Sequence, residues 1–91
     1  METREAFKPL GYQAIAPTAS TALTVPNGAT HALIKAEVQH VRMTDDGTVP
    51  TLTVGLPLLT TDPALWYAGD LTALLFFNDT AGGLLKVLYY K

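Results

Sequence analysis

The chain has 91 residues, of which 15% are charged and 48% are hydrophobic, and its formal net charge is −2. This length fits one domain. The six Lys and Arg residues are too few and too scattered for nucleic-acid binding. The lack of cysteine excludes disulfides, thiolate zinc sites and a cysteine nucleophile. Because so few charges leave much of a globular surface apolar, we expect another protein or further copies of this chain to cover part of it.

An exposed N-terminal arm is predicted at residues 1–11, ahead of a single domain at residues 12–91. The arm carries several of the few charges and ends at Pro9 and Gly11, which interrupt regular structure. So short a segment has no means of burying its own apolar side chains, and we expect it to dock on a neighbouring protein through Arg4, Phe7, Lys8 and Leu10. Deleting residues 1–10 is then expected to leave the domain folded and to weaken that attachment.

The start of the chain also bears on where the protein is made. It mixes charges of both signs and lacks the apolar core of a signal peptide. The uncharged stretch that follows, residues 9–34, is interrupted by several Pro and Gly residues and does not suit a membrane span. We therefore expect synthesis in a cytoplasm and no membrane partner.

Frequent turn signals cut the rest of the chain into apolar runs of about five to nine residues, a spacing typical of short strands in a sandwich or barrel. Thirteen threonines against one serine add to the β bias, because β-branched side chains suit a pleated surface. The sequence predicts an all-β fold: a small antiparallel β-sandwich, jelly-roll or Greek-key-like, with about seven or eight short strands.

The clearest strand lies at residues 31–43, where polar and apolar residues alternate. Ile34, Ala36 and Val38 are apolar at even positions, whereas Val41 and Met43 are apolar at odd positions. A regular strand would turn its apolar face outward halfway along. The pattern therefore predicts a bulge near Gln39 and His40, or a bend that takes the strand from one sheet to the other.

The acidic segment Thr44-Asp45-Asp46-Gly47-Thr48 predicts a hairpin turn between a strand ending at Met43 and one starting near Thr48. Gly accepts positive φ and Asp binds the local backbone, so Asp-Gly between two β runs is a strong turn signal. A calcium site is the alternative, but it needs six to eight oxygens. The remaining aspartates of the domain, at Asp62, Asp70 and Asp79, are each predicted in a separate turn.

Two C-terminal runs, LTALLFF and LLKVLYY, are apolar at odd and even positions alike. One face of such a strand meets the core, and the other face needs a second partner. In a chain this short we expect that partner to be another subunit. The predicted oligomer interface consists of Leu74, Phe76, Leu84, Leu88 and Tyr90, in a homotrimer or, as the next choice, a symmetric dimer.

No catalytic, metal or cofactor site is predicted. A nucleophile needs an oriented base within hydrogen-bond reach, and the spacing of Ser20, His31 and His40 provides none. Both histidines are interpreted as ordinary strand-end residues. The pair Gly82-Gly83 precedes a predicted strand rather than a helix and does not form a phosphate loop. We therefore expect a protein that is not an enzyme.

The aromatic residues allow a different reading, in which Trp66 or Tyr67 is the stacking platform of a small carbohydrate-binding module. Trp66, Tyr67, Phe76, Phe77, Tyr89 and Tyr90 supply enough rings for one. Aromatic side chains also dominate protein cores and interfaces, which is the interpretation that we favour.

From Thr21 to Lys91 the chain resembles a group of small all-β virion proteins encoded near the capsid genes of tailed bacteriophages. The resemblance rests on Val-Pro-Asn-Gly-Ala-Thr at residues 25–30, on Val-Arg followed by Asp-Asp-Gly-Thr at residues 41–48, and on the final Tyr89-Tyr90. These are turn and core features rather than site motifs.

The resemblance implies a structural role on a virus particle. The implied protein is a capsid decoration, or cement, protein that sits on the capsid exterior as a small oligomer, clamps neighbouring major capsid subunits and is made in the host cytoplasm. Weak contacts at several points then add up by multivalency, and a trimer suits a local three-fold site. A tail, collar or fibre adaptor of the same virion is the alternative.

Overall fold

A computed structural model describes residues 7–18, 20–78 and 81–91 of the chain. They form eight strands and a short 3-10 helix at Leu71–Ala73, whose first turn is capped by Asp70. The strands are β1 (Pro9–Ile15), β2 (Thr21–Ala22), β3 (His31–Glu37), β4 (Val41–Thr44), β5 (Leu56–Leu58), β6 (Leu65–Ala68), β7 (Leu75–Asn78) and β8 (Leu84–Tyr90). The prediction of an all-β fold is confirmed.

The strands form two four-stranded antiparallel sheets. Sheet A has the order β1-β8-β3-β6 and sheet B the order β2-β7-β4-β5. The first strand therefore pairs with the last, the second with the seventh, the third with the sixth and the fourth with the fifth. One long hairpin rolled on itself gives this pairing, which is the jelly-roll form of the β-sandwich.

The core lies between the two sheets and is almost entirely apolar. Sheet A contributes alternate residues of β3 and β8, and sheet B contributes alternate residues of β4 and β7, as expected for strands with one face on a core. The fully or nearly fully buried side chains from the strands are Ala32, Ile34, Ala36, Val41, Met43, Phe76, Leu85, Val87 and Tyr89. Connecting segments close the ends of the core with Leu23, Leu71 and Leu74.

The phase change in the predicted strand at residues 31–43 marks the point where the chain changes sheets. β3 ends at Glu37 in sheet A, and β4 begins at Val41 in sheet B. Between them Val38 has φ +71°, and the N–H of Gln39 donates to the carbonyl of Glu37 at 2.8 Å. This is a γ-turn with a left-handed central residue, a strained conformation for a β-branched side chain. The second of the two predicted explanations, the bend between sheets, is the one observed.

A buried polar contact joins β1, β8 and the connection between β2 and β3. The hydroxyl of Tyr89 donates to Oε1 of Gln13 at 2.6 Å, and the N–H of Thr24 donates to the same oxygen at 3.1 Å. Tyr89 is 1% exposed. A hydroxyl buried this deeply needs a partner, which Gln13 supplies.

Candidate binding surface

The outer side of sheet A carries a surface that is partly exposed, with Phe7 lying against one end of it. Its residues come from all four strands, because alternate side chains of each strand point away from the core. They are Tyr12 and Ala14 on β1, Leu84, Lys86, Leu88 and Tyr90 on β8, His31, Leu33, Lys35 and Glu37 on β3, and Trp66 and Ala68 on β6. We call this set the sheet A face.

An apolar row crosses the middle of the sheet A face from edge to edge. Trp66 lies opposite Leu33, Leu33 opposite Leu88, and Leu88 opposite Tyr12. Cross-strand neighbours of this kind lie about 4.5–5.5 Å apart at their Cβ atoms, so the four side chains form one continuous strip. Tyr12 is 61% exposed and Leu88 is 38% exposed, so the strip is open to solvent.

One end of the sheet A face is an aromatic cluster. The ring of Phe7 lies 4.4 Å from that of His31 and 5.3 Å from that of Trp66, between centroids. Trp66 stacks on His31 and contacts Tyr90, both at 5.3 Å. His31 is fixed by a 2.8 Å hydrogen bond between its Nδ1 and Oγ1 of Thr30. Tilted and stacked rings at these separations attract one another, so the cluster holds this end of the face in one arrangement.

The border of the apolar row that lies away from the aromatic cluster is polar and contains two lysines. Lys35 donates from Nζ to the carbonyls of Thr60 and Asp62 at 2.6 Å and 2.7 Å. Lys86 lies 3.5 Å from a carboxylate oxygen of Glu37. The pKa of Lys86 is raised, first by its hydrogen bond with Tyr12 and then by the charge of Glu37. The ammonium group of Lys86 therefore stays charged, and both lysines lie along one border of the row.

The outer side of sheet B differs because the chain covers part of it. The segment between β4 and β5, residues 45–55, is anchored at its end by Arg42, whose Nη1 donates to the carbonyl of Gly55 at 3.1 Å. Within the segment Pro50 is buried, and Leu52 lines a cleft of about 310 Å³ together with Phe77. The loop thus covers part of sheet B. On the outer side of sheet A the corresponding contacts are those of Phe7 with the aromatic cluster and of residues 60–62 with Lys35.

The predicted oligomer interface is partly wrong. Leu84, Leu88 and Tyr90 lie on the sheet A face, as an interface requires. Leu74 and Phe76 are both 0% exposed and belong to the core. The pairing of β7 with β4 points Phe76 inward beside Met43, so neither buried side chain is available to another subunit.

The predicted arm is wrong at its domain-side end. β1 starts at Pro9, so residues 9–11 belong to sheet A. Leu10 packs against the core, and Lys8 exchanges two 2.9 Å backbone hydrogen bonds with Lys91. Phe7 is part of the aromatic cluster. The side chains of Phe7 and Leu10 and the backbone of Lys8 have partners within the fold, so deleting residues 1–10 removes structure from sheet A and is no clean test of attachment. Arg4 lies outside the described residues.

The acidic segment turns the chain, although not as the tight hairpin that was predicted. Gly47 has φ +86°, and the N–H of Thr48 donates to Oδ1 of Asp46 at 3.0 Å. Hydrogen bonding from the Thr48 side chain, and then from its N–H, lowers the pKa of the Asp46 carboxyl. Asp45 accepts a 3.4 Å hydrogen bond from the hydroxyl of Tyr67. The strand that follows the turn and pairs with β4 is β5, which starts at Leu56. Thr48 lies in the loop between them.

We expect Gly47→Val to lower the free energy of unfolding by about 1 kcal/mol or more, because a β-branched residue is strained at positive φ. No heavy atom outside the adjacent residues lies within 4 Å of a Cβ built at Gly47, so the backbone alone causes the loss. Urea unfolding measures it. Asp46→Asn keeps the acceptor for Thr48 and is the matched control, with little change expected. A melting temperature that falls on adding a calcium chelator would contradict the turn-only interpretation.

The remaining predicted residues are spread over the molecule. His31 begins β3, and His40 stands just before β4 with its Nδ1 accepting the N–H of Thr60 at 3.1 Å, so both are strand-end residues as predicted. Asp62 binds the N–H of Leu59 within a turn of its own. Asp79 lies outside the described residues. Tyr67 faces inward against the core.

Tyr12 and Leu33 are the members of the apolar row that sequence reasoning missed. The signal for Leu33 is present, since Leu33 and Ile34 are adjacent apolar residues in a strand that otherwise alternates. Tyr12 was predicted as the first residue of the domain, directly after the arm, and was not assigned to a strand. Knowledge that β1 pairs with β8 is needed to place it beside Leu88.

Residues 7–18, 20–78 and 81–91 contain no group of three or more His, Cys, Asp or Glu side chains positioned to share a metal ion. The same ranges contain no helix with the length and apolar character needed to cross a membrane. Comparisons with protein-family profiles, with curated proteins and with solved structures find no match to this chain.

Proposed function

We propose that this chain is a structural, non-enzymatic virion protein of a tailed bacteriophage, and that it decorates the capsid exterior by binding the major capsid protein through the sheet A face. The observation that carries the proposal is the apolar row formed by Trp66, Leu33, Leu88 and Tyr12, of which Tyr12 and Leu88 are exposed to solvent. The resemblance to small all-β virion proteins supplies the identity of the partner.

The composition of the sheet A face supports binding to a protein. Aromatic side chains at the centre of an interface supply most of its binding energy, and a polar rim supplies orientation. The face has this arrangement, with Trp66 and Tyr12 in the row and the lysines along its border. The aromatic cluster and the bonds of Lys35 hold much of the face in place before binding, which lowers the entropy lost on docking.

The jelly-roll architecture is compatible with the proposal but does not decide it. Viral capsid proteins, lectins and cupins all use this architecture, so the role has to be argued from the surface. For the carbohydrate alternative, Trp66 is a poor platform because the indole already stacks on His31, and Tyr67 packs inward. A tail, collar or fibre adaptor would use the same face, so the surface does not separate that alternative from a decoration protein. The number of copies per particle separates them.

The first experiment measures the molar ratio of this chain to the major capsid protein in purified particles. A decoration protein is present in proportion to the capsid subunits, whereas a tail, collar or fibre part is present in far fewer copies. We expect the proportional ratio. A ratio corresponding to a few copies per particle would assign the chain to the tail or its attachment point.

The second experiment tests the face itself by adding purified protein to particles that lack it. We expect Leu88→Glu to lower occupancy about tenfold or more, because the charge would be buried against an apolar partner surface. Leu52→Glu is the matched control, since Leu52 is 59% exposed on the sheet B side, and we expect normal occupancy. Equal occupancy by both variants would overturn the assignment of the sheet A face.

A further inference from the structure

The four edges of the two sheets differ in how well they are protected against strand addition. An exposed edge offers unpaired backbone groups, and proteins limit the risk with short strands, prolines or charges. β2 has two residues, β5 has three with Pro57 in the middle, and β6 has four. β1 has seven residues, Pro-Leu-Gly-Tyr-Gln-Ala-Ile, with no charged side chain. Pro9 and the register irregularity before Gly11 protect its first residues, and residues 12–15 are the part of this longest edge strand that has neither proline nor charge.

The hydrogen-bond pattern shows which groups of β1 face outward. Lys8 and Lys91 exchange both backbone hydrogen bonds, so the odd-numbered residues of β8 direct their N–H and C=O groups toward β1. Their partners on β1 are Gly11, Gln13 and Ile15. Alternation then directs the backbone groups of Tyr12 and Ala14 to the open edge. Within the described residues, β1 pairs with β8 alone.

We propose that two copies of this chain associate through β1, antiparallel and around a two-fold axis, so that the two A sheets become one continuous eight-stranded sheet. Tyr12 then pairs with Ala14 of the partner subunit, and Ala14 with Tyr12 of the partner subunit. Each pair exchanges two backbone hydrogen bonds. This association does not depend on attachment to a capsid.

A second copy fits this edge better than an unrelated strand for two reasons. An antiparallel pair of identical strands is self-complementary by symmetry, because every outward donor on one copy meets an outward acceptor on the other. The side chains agree, since Tyr12 and Ala14 both point to the sheet A face and a large ring therefore lies beside a small residue. The pairing also joins the two apolar rows end to end through the Tyr12 side chains. A dimer replaces the trimer as the expected oligomer.

The test uses Ala14→Pro. The N–H at residue 14 points to the open edge, so proline removes no hydrogen bond within the monomer, and proline is tolerated on edge strands in this orientation. It does remove a donor from the proposed pairing and places its ring at the contact. Ala14→Ser keeps the N–H and is the matched control. Light scattering at micromolar concentration is expected to show a dimer for the wild type and Ala14→Ser, and a folded monomer for Ala14→Pro.

Amide hydrogen exchange on the wild-type chain gives a measurement that needs no variant. The amides of Tyr12 and Ala14 are expected to exchange slowly at high protein concentration and quickly on dilution, because only the second copy protects them. A wild-type monomer or trimer at micromolar concentration, a folded Ala14→Pro dimer, or fast exchange of both amides at high concentration would each overturn the proposal. If Ala14→Pro fails to fold, the exchange measurement decides.

Discussion

Phe76→Ala is expected to lower the free energy of unfolding by about 3–5 kcal/mol, the range for removing a buried phenylalanine ring. Phe76 is 0% exposed and lies on β7 between β2 and β4. Its truncation would therefore leave a cavity in the core beside sheet B. Single domains are stable by about 5–15 kcal/mol, so the loss is a large part of the total. Urea unfolding followed by the fluorescence of Trp66, the only tryptophan, measures it.

Leu88→Ala is the control for Phe76→Ala, because Leu88 is 38% exposed on the sheet A face and its truncation is expected to cost less than about 1 kcal/mol. If Phe76→Ala does not fold, Phe76→Leu keeps most of the side-chain volume and is expected to cost about 1 kcal/mol. A Phe76→Ala protein that keeps its stability and loses its oligomeric state would contradict the core assignment and indicate that Phe76 lies in an interface.

The strands of the sandwich were predictable because their information is local. In β3, Ala32, Ile34 and Ala36 alternate with His31, Lys35 and Glu37, apart from the apolar Leu33, and that alternation places them in the core. The switch of phase at Val41 was visible as well, since only a bulge or a change of sheet reconciles it with one core. Turn chemistry located Gly47 at positive φ.

The orientation of β7 was not predictable, because both sets of its alternate residues contain a phenylalanine. The choice between Phe76 and Phe77 has no local signal, whereas in β8 the charged Lys86 marks the outward face that also carries Leu84 and Leu88. Pairing between β7 and β4 decides the orientation of β7. The predicted set accordingly has the outward face of β8 at Leu84, Leu88 and Tyr90, where those residues lie, and the wrong face of β7 at Phe76.

Two other differences have the same origin in long-range pairing. Residues 48–54 have a strand-like composition, but Pro50 and the lack of a neighbouring strand leave them in a loop. Pro9 and Gly11 were taken as the end of an arm, yet proline is acceptable at the first residue of an edge strand, and the register irregularity between Pro9 and Gly11 accommodates the extra residue. Edge position is a property of the whole sheet, so local composition does not report it.

Alkaline pH is expected to destabilise this protein through Tyr89. Burial raises the pKa of the Tyr89 hydroxyl to about 12 from its ordinary value of 10.0. Below pH 10 the side chain is neutral in the folded and unfolded states, and its contribution is fully present. Between pH 10 and 12 the unfolded chain loses the proton and the folded chain keeps it, so stability falls as pH rises. One pKa unit corresponds to about 1.4 kcal/mol, so a loss of about 2 kcal/mol is expected after allowing for residual solvation.

Tyr89→Phe isolates this contribution, because the lysines and the other tyrosines titrate in both proteins. At pH 7 the variant is expected to be less stable by about 1 kcal/mol, since Gln13 loses the 2.6 Å hydrogen bond from the Tyr89 hydroxyl and keeps the one from Thr24. Between pH 10 and 12 its stability is expected to fall less steeply than that of the wild type, so the two curves converge. Parallel curves in urea unfolding across this range would mean that Tyr89 ionises with equal ease in both states, which contradicts a hydroxyl enclosed between β1 and β8.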